Sequence, residues 1–244
     1  MRTIKLTISY DGTNYRGWQL QKNGWTLQAE IEKAIKKVFK KHHRLYAAGR
    51  TDTGVHARGQ VAHFKTAGTV PAGKIKTALN SFLPEDIAII KSEEVPGDFH
   101  ARFNAKKKHY RYYITTSRKR DPFGERYLWR IPYDLDVSLM RSEARKLLGT
   151  HDFRSFQASE KKERSSVRRI TKIDIKKNGS QISIDIEADG FLYNMVRNIV
   201  GTLVDIGRGY SPPGSMQKIL KSKDRREAGP TAPAKGLFLA EVKY

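Results

Sequence analysis

GRTDTGVHA, residues 49–57, places one aspartate between two glycines, directly after a short apolar strand predicted near residues 45–48. Glycines on both sides allow the backbone to turn sharply, so the intervening side chains project from the edge of a sheet. Arg50 and Asp52 are two residues apart and share a face if the segment is extended. We therefore predict a strand and loop that present Asp52, with residues 61–64 as the returning strand.

Asp52 beside Arg50 is a candidate for nucleophilic or acid–base chemistry. A nearby guanidinium lowers the pKa of a carboxyl group and keeps it ionised even when it is partly buried. An anionic carboxylate can act as a nucleophile or a general base without a metal ion. An aspartate that caps a turn beside a solvated arginine explains the pattern as well, so the residues alone leave both interpretations open.

Strands and helices alternate on both sides of this stretch. Residues 4–10 alternate apolar with polar, and residues 27–39 repeat apolar side chains at helical spacing after Thr26, a capping residue. Asn178 and Gly179 separate two alternating runs, a strong signal for a two-residue hairpin, and residues 191–206 predict an apolar helix. The pattern predicts an α+β fold with a mainly antiparallel sheet, built from two related α/β halves, 1–105 and 106–244.

Composition indicates a nucleic-acid partner. The chain carries 47 Lys and Arg against 25 Asp and Glu, a formal net charge of +22, which attracts polyphosphates and releases their condensed counterions. A charge-rich protein with no polyanionic partner is the alternative. The mixed-charge segment 160–168 is a further, weaker candidate for RNA contact.

Cysteine usage and hydropathy restrict the class of protein. The chain has no cysteine, which excludes disulfides and thiolate metal sites, and its seven histidines lack metal-ligand spacing. No apolar run approaches the roughly 18 residues of a membrane span. The first residues are typical of a strand, not of a signal peptide, so we expect a soluble, cytoplasmic protein without membrane contact.

Seven motifs resemble those of the tRNA pseudouridine synthase A family and follow the family's order over nearly the whole chain. Besides GRTDTGVHA they are YDGTNYRGWQ (10–19), DFHARF (98–103), YRY (110–112), GTHDFRSF (149–156), MVRNIVG (195–201) and GL (236–237). The resemblance implies the pseudouridine synthase fold, with helices on the outer faces of the sheet. It also implies an RNA cleft between the two halves, the first half carrying the catalytic loop and the second completing the site.

The resemblance further implies an isomerase that converts uridine to pseudouridine at positions 38, 39 and 40 of the tRNA anticodon stem-loop. Such an enzyme requires no cofactor and no metal ion, because nothing is oxidised or hydrolysed. The implied partners are tRNA and a second copy of the chain in a homodimer. The target nucleotide must be flipped out of its stack to be reached, at a cost of a few kcal/mol.

Individual residues acquire roles from the same resemblance. Asp52 is implied to be the catalytic aspartate, with Arg197 as its ion-pair partner. Arg50, placed in the catalytic group because it lies two residues from Asp52, would be a second guanidinium. Tyr110 is implied to pack against the target uracil, and Leu237 to line the uracil pocket. From the residues alone, Tyr110 and Leu237 could equally be core side chains, and Arg197 could belong to a solvated stripe.

Two arginines of the family motifs, Arg16 and Arg102, are expected to contact the RNA backbone. Two other functions compete with the enzyme. A non-catalytic RNA-binding or ribosome-assembly protein explains the charge equally well, and a metal-dependent nuclease could use Asp52 with His56 and His63. The sequence does not choose among three routes for Asp52, which are attack at C1′, addition at C6 and abstraction of a sugar proton.

Overall fold

The chain folds as two compact units. The computed structural model describes residues 1–22, 24–158 and 165–244. The first unit is Met1–Lys106 together with Phe238–Tyr244, and the second is Lys107–Leu237. Positions 160–164 of the mixed-charge segment lie outside the described residues.

This division differs from the expected one in the last strand. The expected second half was 106–244, whereas Phe238–Tyr244 belongs to the first unit. Phe238 pairs with His56 and Leu239 with Ala57, in parallel with a strand of the first unit. Ala240 also approaches the backbone at Gly59, where a Cβ would lie 2.5 Å from the Ala240 carbonyl oxygen. The chain therefore returns to the first unit at its end because of a close, long-range strand pairing.

The first unit combines a mainly antiparallel sheet with helices. The elements are β1 (Arg2–Tyr10), α1 (Leu27–Phe39), β2 (Tyr46–Ala47), β3 (His56–Thr66), α2 (Ala72–Asn80) and β4 (Ile87–Val95), with β10 (Leu237–Lys243) at the end of the chain. The strand order is β4-β1-β3-β10, with β2 paired to β3. Among the described residues of this unit, only the pairing of β10 with β3 is parallel.

Local sequence signals account for the start of this unit. Ile4, Leu6 and Ile8 are completely buried, as the alternation in β1 predicts. The Thr26 side chain accepts a hydrogen bond from the Ala29 N–H, so the predicted cap of α1 is confirmed. Ile31 and the apolar residues at helical spacing from it are buried, whereas the lysines of the helix are exposed.

The second unit repeats the combination of an antiparallel sheet with helices. The elements are β5 (Lys107–Thr115), β6 (Trp129–Arg130), α3 (Val137–Arg145), β7 (Gly149–Asp152), β8 (Val167–Asn178), β9 (Gln181–Ala188), α4 (Met195–Gly207) and α5 (Ser215–Ser222). The strand order is β5-β9-β8-β7, and β6 pairs in parallel with β5. The hairpin predicted at Asn178 and Gly179 is confirmed, since Asn178 pairs with Gln181 and Gly179 has a left-handed φ of 56°.

Helix α4 is the apolar helix predicted over residues 191–206, but it begins four residues later, at Met195. Asn194 precedes it with a φ of 58°, in the left-handed region, which stops the helix from extending backwards. Across the described ranges, no helix is long and apolar enough to cross a membrane.

A buried carboxylate joins α3 to α5. Helix α5 follows Gly214, which has no side chain to cap it, and Glu143 of α3 takes that role. The Glu143 carboxylate accepts hydrogen bonds from the N–H groups of Gly214 (2.9 Å) and Met216 (3.1 Å) and contacts the Lys146 ammonium at 2.5 Å. Burial alone would raise the pKa of Glu143, but these partners outweigh it and hold the pKa below its ordinary value.

Glu143→Gln should lower the free energy of unfolding by about 1–3 kcal/mol at neutral pH, because an amide nitrogen cannot accept from the N–H groups. The folded pKa lies below the unfolded one, so the carboxylate's contribution is complete above the ordinary value of 4.5. It is lost as the pH falls through the folded pKa. In denaturant titrations the difference from wild type should therefore be full at neutral pH and should shrink at a pH well below 4.5. Glu227→Gln, on an exposed glutamate, is the control, and an equal difference at both pH values would contradict the capping role.

Candidate active site

The Asp52 loop is a tight turn that leads into β3. The Val55 N–H donates to the Asp52 carbonyl oxygen at 3.1 Å, which closes a turn over Thr53 and Gly54. Gly54 has a φ of 76°, a conformation that this turn position reserves for glycine. Asp52 is half-buried, whereas Arg50 is exposed. The motif therefore places a half-buried carboxylate at the first residue of a turn, and the hydrogen bond from Val55 fixes the Asp52 backbone just before β3 begins.

The N-terminal motif packs backbone against backbone on this loop. A Cβ at Gly12 would lie 2.0 Å from the Val55 carbonyl oxygen, and one at Gly17 would lie 2.7 Å from that of Thr51. The Trp18 N–H donates to the same Thr51 oxygen at 3.0 Å. Gly12 and Gly17 are thus required because their backbone lies too close to the Asp52 loop for any side chain. This packing holds the loop on both sides of Asp52, at Thr51 and at Val55.

Buried polar side chains hold the start of the Asp52 loop, at Gly49 and Thr51. The Tyr10 hydroxyl and the Thr51 hydroxyl are hydrogen-bonded at 2.8 Å, and Gln60 donates to the Gly49 carbonyl oxygen at 2.9 Å. Burial raises the pKa of Tyr10, with hydrogen bonds to Thr51 and Gln60 acting in the opposite direction. Tyr10 therefore stays protonated and serves as a neutral support for the residue next to Asp52.

Arg197 lies in the second unit, at the start of α4, and is half-buried. Its Nε donates to the Ala232 carbonyl oxygen at 2.7 Å, and its Nη1 donates to Asn194 Oδ1 at 3.1 Å. In return, the Ala232 N–H donates to the Arg197 carbonyl oxygen at 3.1 Å. The guanidinium is thus oriented by the left-handed Asn194 and by the segment around Ala232.

The segment 225–233 packs against α4 and is hydrogen-bonded to it. Asn198 Oδ1 accepts from Arg225 (3.1 Å) and from Thr231 (2.7 Å), while its Nδ2 donates to the Phe156 carbonyl oxygen. A Cβ at Gly201 would lie 1.7 Å from the Pro230 carbonyl oxygen, a distance that no side chain permits. The helix therefore accepts this segment only because residue 201 is glycine.

Tyr110 and Leu237 are the remaining predicted residues of the second unit. Tyr110 lies on β5, is only 8% exposed, and meets the Phe191 ring edge to face at 5.0 Å. Leu237 is buried and follows Gly236, where a Cβ would lie 2.6 Å from the Tyr112 ring. The Tyr112 hydroxyl donates to the Pro233 carbonyl oxygen at 2.7 Å. The same fastened segment thus leads from Arg197 to Leu237.

Arg16 and Arg102 are exposed on the first unit, as a role in phosphate contact requires. The Arg16 stem packs over Gly24, where a Cβ would lie 2.4 Å from the arginine Cδ. The Arg102 guanidinium lies 5.8 Å from the centre of the Phe103 ring. Arg16, Arg50, Asp52 and Arg102 therefore belong to the first unit, and Tyr110, Arg197 and Leu237 to the second.

The two histidines of the nuclease hypothesis are both buried. His56 Nδ1 accepts from the Gly12 N–H at 3.1 Å, and the His56 ring stacks on Phe238 at 4.7 Å. His63 Nδ1 accepts from the Ala101 N–H at 3.2 Å. In the part of the chain that the structure describes, no group of three His, Cys, Asp or Glu residues is placed to hold a metal ion.

Supporting residues were missed by the sequence analysis. Tyr10, Gln60, Asn198 and Arg225 hold the two segments that carry the predicted site residues. Each lies far along the chain from the group it supports, so no local pattern reveals the pairing. Glycine at 12, 17 and 201 was the available signal, because an unexplained glycine inside a motif or a helix marks a close backbone approach.

Comparisons with known proteins identify the family. Residues 6–104 and 144–244 match the family model described as tRNA pseudouridine synthase. The chain is 48% identical over 244 residues to tRNA pseudouridine synthase A of Thermoanaerobacter sp. (strain X514), covering all of both chains. It is also 48% identical over 246 residues to the protein of that name from Moorella thermoacetica, again over all of both chains.

A solved structure of an archaeal box H/ACA sRNP complex aligns with 92% of this chain and 60% of its own, at 9% identity and a TM-score of 0.39. The assignment rests on the sequence matches. The chain belongs to the tRNA pseudouridine synthase family and is an isomerase that acts on tRNA.

Proposed function

We propose that the enzyme converts uridine to pseudouridine at positions 38, 39 and 40 of the tRNA anticodon stem-loop, with Asp52 as the catalytic residue. The observation that carries the proposal is the match of the whole chain, at 48% identity, to proteins named tRNA pseudouridine synthase A. The rigid Asp52 loop supports the choice of residue, since a reacting carboxylate must be held in place. The non-catalytic RNA-binding alternative gives no reason for a half-buried carboxylate in a loop held by Gly54 and by the close approach of Gly12 and Gly17.

Asp52 has to move a base from one bond to another without net oxidation. The reaction breaks the N1–C1′ bond, turns the uracil and joins C5 to C1′, while a proton leaves C5 and N1 gains one. A carboxylate can open this sequence as a nucleophile, at C1′ or at C6, or as a base that removes a sugar proton. Each route requires Asp52 in its anionic form.

Arg50 and Arg197 supply the positive charge that keeps such a carboxylate ionised. Arg197 is suited to this role because its Nε and Nη1 atoms are already oriented by Ala232 and Asn194. Arg50, two residues from Asp52, acts from the same loop. The ion pair between Arg197 and Asp52 that the family resemblance implies stays a prediction, which a double-mutant cycle on kcat tests directly.

The uracil and the RNA backbone are assigned to the remaining residues. Tyr110 stacks on the uracil and Leu237 lines its pocket, and together they offset the cost of unstacking the nucleotide. Arg16 and Arg102 contact phosphates, aided by the net charge of +22. The cleft between the halves and the homodimer, in which one tRNA contacts both subunits, are part of the same proposal, as is action in the cytoplasm, where tRNA is found.

The proposed target positions are tested by incubating the purified protein with unmodified tRNA and mapping pseudouridine by carbodiimide-blocked primer extension. New stops at positions 38–40 are expected, and they should appear equally in EDTA because no step requires a metal ion. Stops elsewhere in the tRNA would replace the proposed positions. Strand cleavage that depends on Mg²⁺ or Mn²⁺ would instead favour the nuclease.

Tyr110→Leu should raise KM for tRNA or lower kcat by about tenfold or more, because base–aromatic stacking is worth about 1–3 kcal/mol. Tyr110→Phe is the matched variant, since it keeps the ring and its contact with Phe191 but removes the hydroxyl. Full activity of Tyr110→Phe with loss in Tyr110→Leu would assign the residue to stacking. Loss in both would add a role for the hydroxyl in proton transfer, and full activity of both would remove Tyr110 from the site.

A further inference from the structure

A cluster of stacked rings lies on the first unit, on residues that the proposed mechanism does not use as a group. Tyr46 stacks on His63 at 5.3 Å and 22°, His63 meets His100 at 4.8 Å, and His100 lies 4.3 Å from Phe103. The series runs outward from a buried histidine to Phe103, which is 76% exposed. We call these four rings, with Arg44 and Arg102, the ring platform.

The backbone beneath the platform is fixed by hydrogen bonds. The Ala101 N–H donates to His63 Nδ1 at 3.2 Å, and the Arg102 N–H donates to His100 Nδ1 at 3.1 Å. The Ala101 carbonyl oxygen in turn accepts from the Tyr244 hydroxyl at 2.7 Å. Burial, reinforced by His100, lowers the pKa of His63 to about 4, so His63 is neutral and can accept at physiological pH. Phe103 is therefore presented by an ordered loop, and a ligand that stacks on it has little ordering entropy to overcome.

Positive charge accompanies both exposed rings. The Arg44 guanidinium lies 5.2 Å from the centre of the Tyr46 ring, and that of Arg102 lies 5.8 Å from the centre of the Phe103 ring. None of the six platform side chains is acidic. A single exposed phenylalanine needs no explanation. A fixed series of stacked rings, with an arginine against the exposed ring at each end, is an arrangement that suits single-stranded nucleic acid.

We propose that the ring platform binds an unpaired nucleotide of the substrate tRNA, with its base stacked on Phe103 and its phosphates at Arg44 and Arg102. The inference rests on the proposed function only in taking tRNA as the ligand. Charge complementarity favours RNA over a protein partner, because the chain has a net charge of +22, of which the two platform arginines are part. The platform would position tRNA and increase its affinity without taking part in the chemistry.

Phe103→Ala tests the proposal, with Phe123→Ala as the matched control. Phe123 is 89% exposed and belongs to the second unit, not to the platform. Phe103→Ala should weaken tRNA binding in a filter assay, and raise KM, by about tenfold, while kcat at saturating tRNA and the melting temperature stay unchanged. Phe103→Trp, which keeps a stacking ring, should restore binding. The Phe123 variant should bind as wild type does.

Abasic substitution of the unpaired tRNA nucleotides, one at a time, identifies the stacked base. At one position the missing base should weaken binding by wild type but add nothing to the defect of Phe103→Ala. The proposal would be overturned if Phe103→Ala bound tRNA as tightly as wild type, if Phe123→Ala lost as much affinity, or if no abasic position were coupled to Phe103. Any of these results would leave the platform without an RNA ligand and would favour a protein partner instead. These binding results do not depend on turnover, so failure to form pseudouridine would count only against the proposed function.

Discussion

Asp52→Asn is expected to abolish pseudouridine formation while leaving tRNA binding intact. The amide is nearly isosteric with the carboxylate, so the turn closed by Val55 and the packing of Gly12 and Gly17 should persist. What is lost is the negative oxygen that each of the three chemical routes requires. Removal of a catalytic nucleophile typically lowers kcat by about 10⁴-fold or more, so single-turnover assays with excess enzyme should show no product above background.

The charge change makes the binding measurement informative. Asp52→Asn removes one negative charge from a chain of net charge +22, which cannot weaken its attraction to RNA. Asp134→Asn, on an exposed aspartate, makes the same charge change and should keep full activity. Substantial turnover by Asp52→Asn would remove the assigned role. Lost binding together with a lowered melting temperature would show that Asp52 is needed for folding of the loop instead.

Elements whose signals are local were predictable from the sequence. The cap at Thr26, the helix that follows it and the hairpin at Asn178 and Gly179 depend on residues within a few positions of one another. Their hydrogen bonds form inside one turn or between neighbouring strands, so the pattern of residue types is sufficient. The mainly antiparallel sheet followed from the same signals.

Features that depend on distant partners were not predictable. The parallel pairing of β10 with β3 joins residues about 180 positions apart, since Phe238 pairs with His56. The residue types of the two strands do not indicate that they pair with each other. The delayed start of α4 follows from the left-handed Asn194, whose side chain also orients Arg197. Asparagine tolerates this conformation better than most residues, but the residue type alone does not specify it.

The candidate site, too, contains residues that the sequence indicated and residues that it did not. Asp52, Arg197 and Tyr110 were named because their motifs resemble those of a family, whereas the residues that hold them were not. Gln60 and Asn198 look like ordinary polar residues in the sequence, and only the folded chain reveals that both are buried and bonded to loop backbones or side chains. Side chains that position a site carry no chemistry of their own, so a search for reactive residue types passes over them.

Gly201→Ala should be the most damaging small substitution in the second unit. The added Cβ would lie 1.7 Å from the Pro230 carbonyl oxygen, and that neighbour is backbone, which cannot rotate away. The segment 225–233 must therefore move off α4, which breaks the paired hydrogen bonds between Ala232 and Arg197. Overpacking of this kind costs about 1–3 kcal/mol, which corresponds to a fall in Tm of several degrees. We also expect kcat to fall, because the Arg197 guanidinium loses the carbonyl that orients it.

Gly73→Ala separates this clash from the general effect of replacing a helical glycine. Gly73 lies in α2 of the first unit with no atom within 4 Å of the Cβ position, so alanine there should stabilise by about 0.5–1 kcal/mol through its higher helix propensity. Thermal unfolding should thus move in opposite directions for the two variants, and only Gly201→Ala should lose activity. If both glycines tolerated alanine equally, the segment 225–233 could not lie against α4 as closely as it does here. Arg197 would then owe its orientation to Asn194 alone, and the pseudouridine assay of Asn194→Ala would show the larger loss.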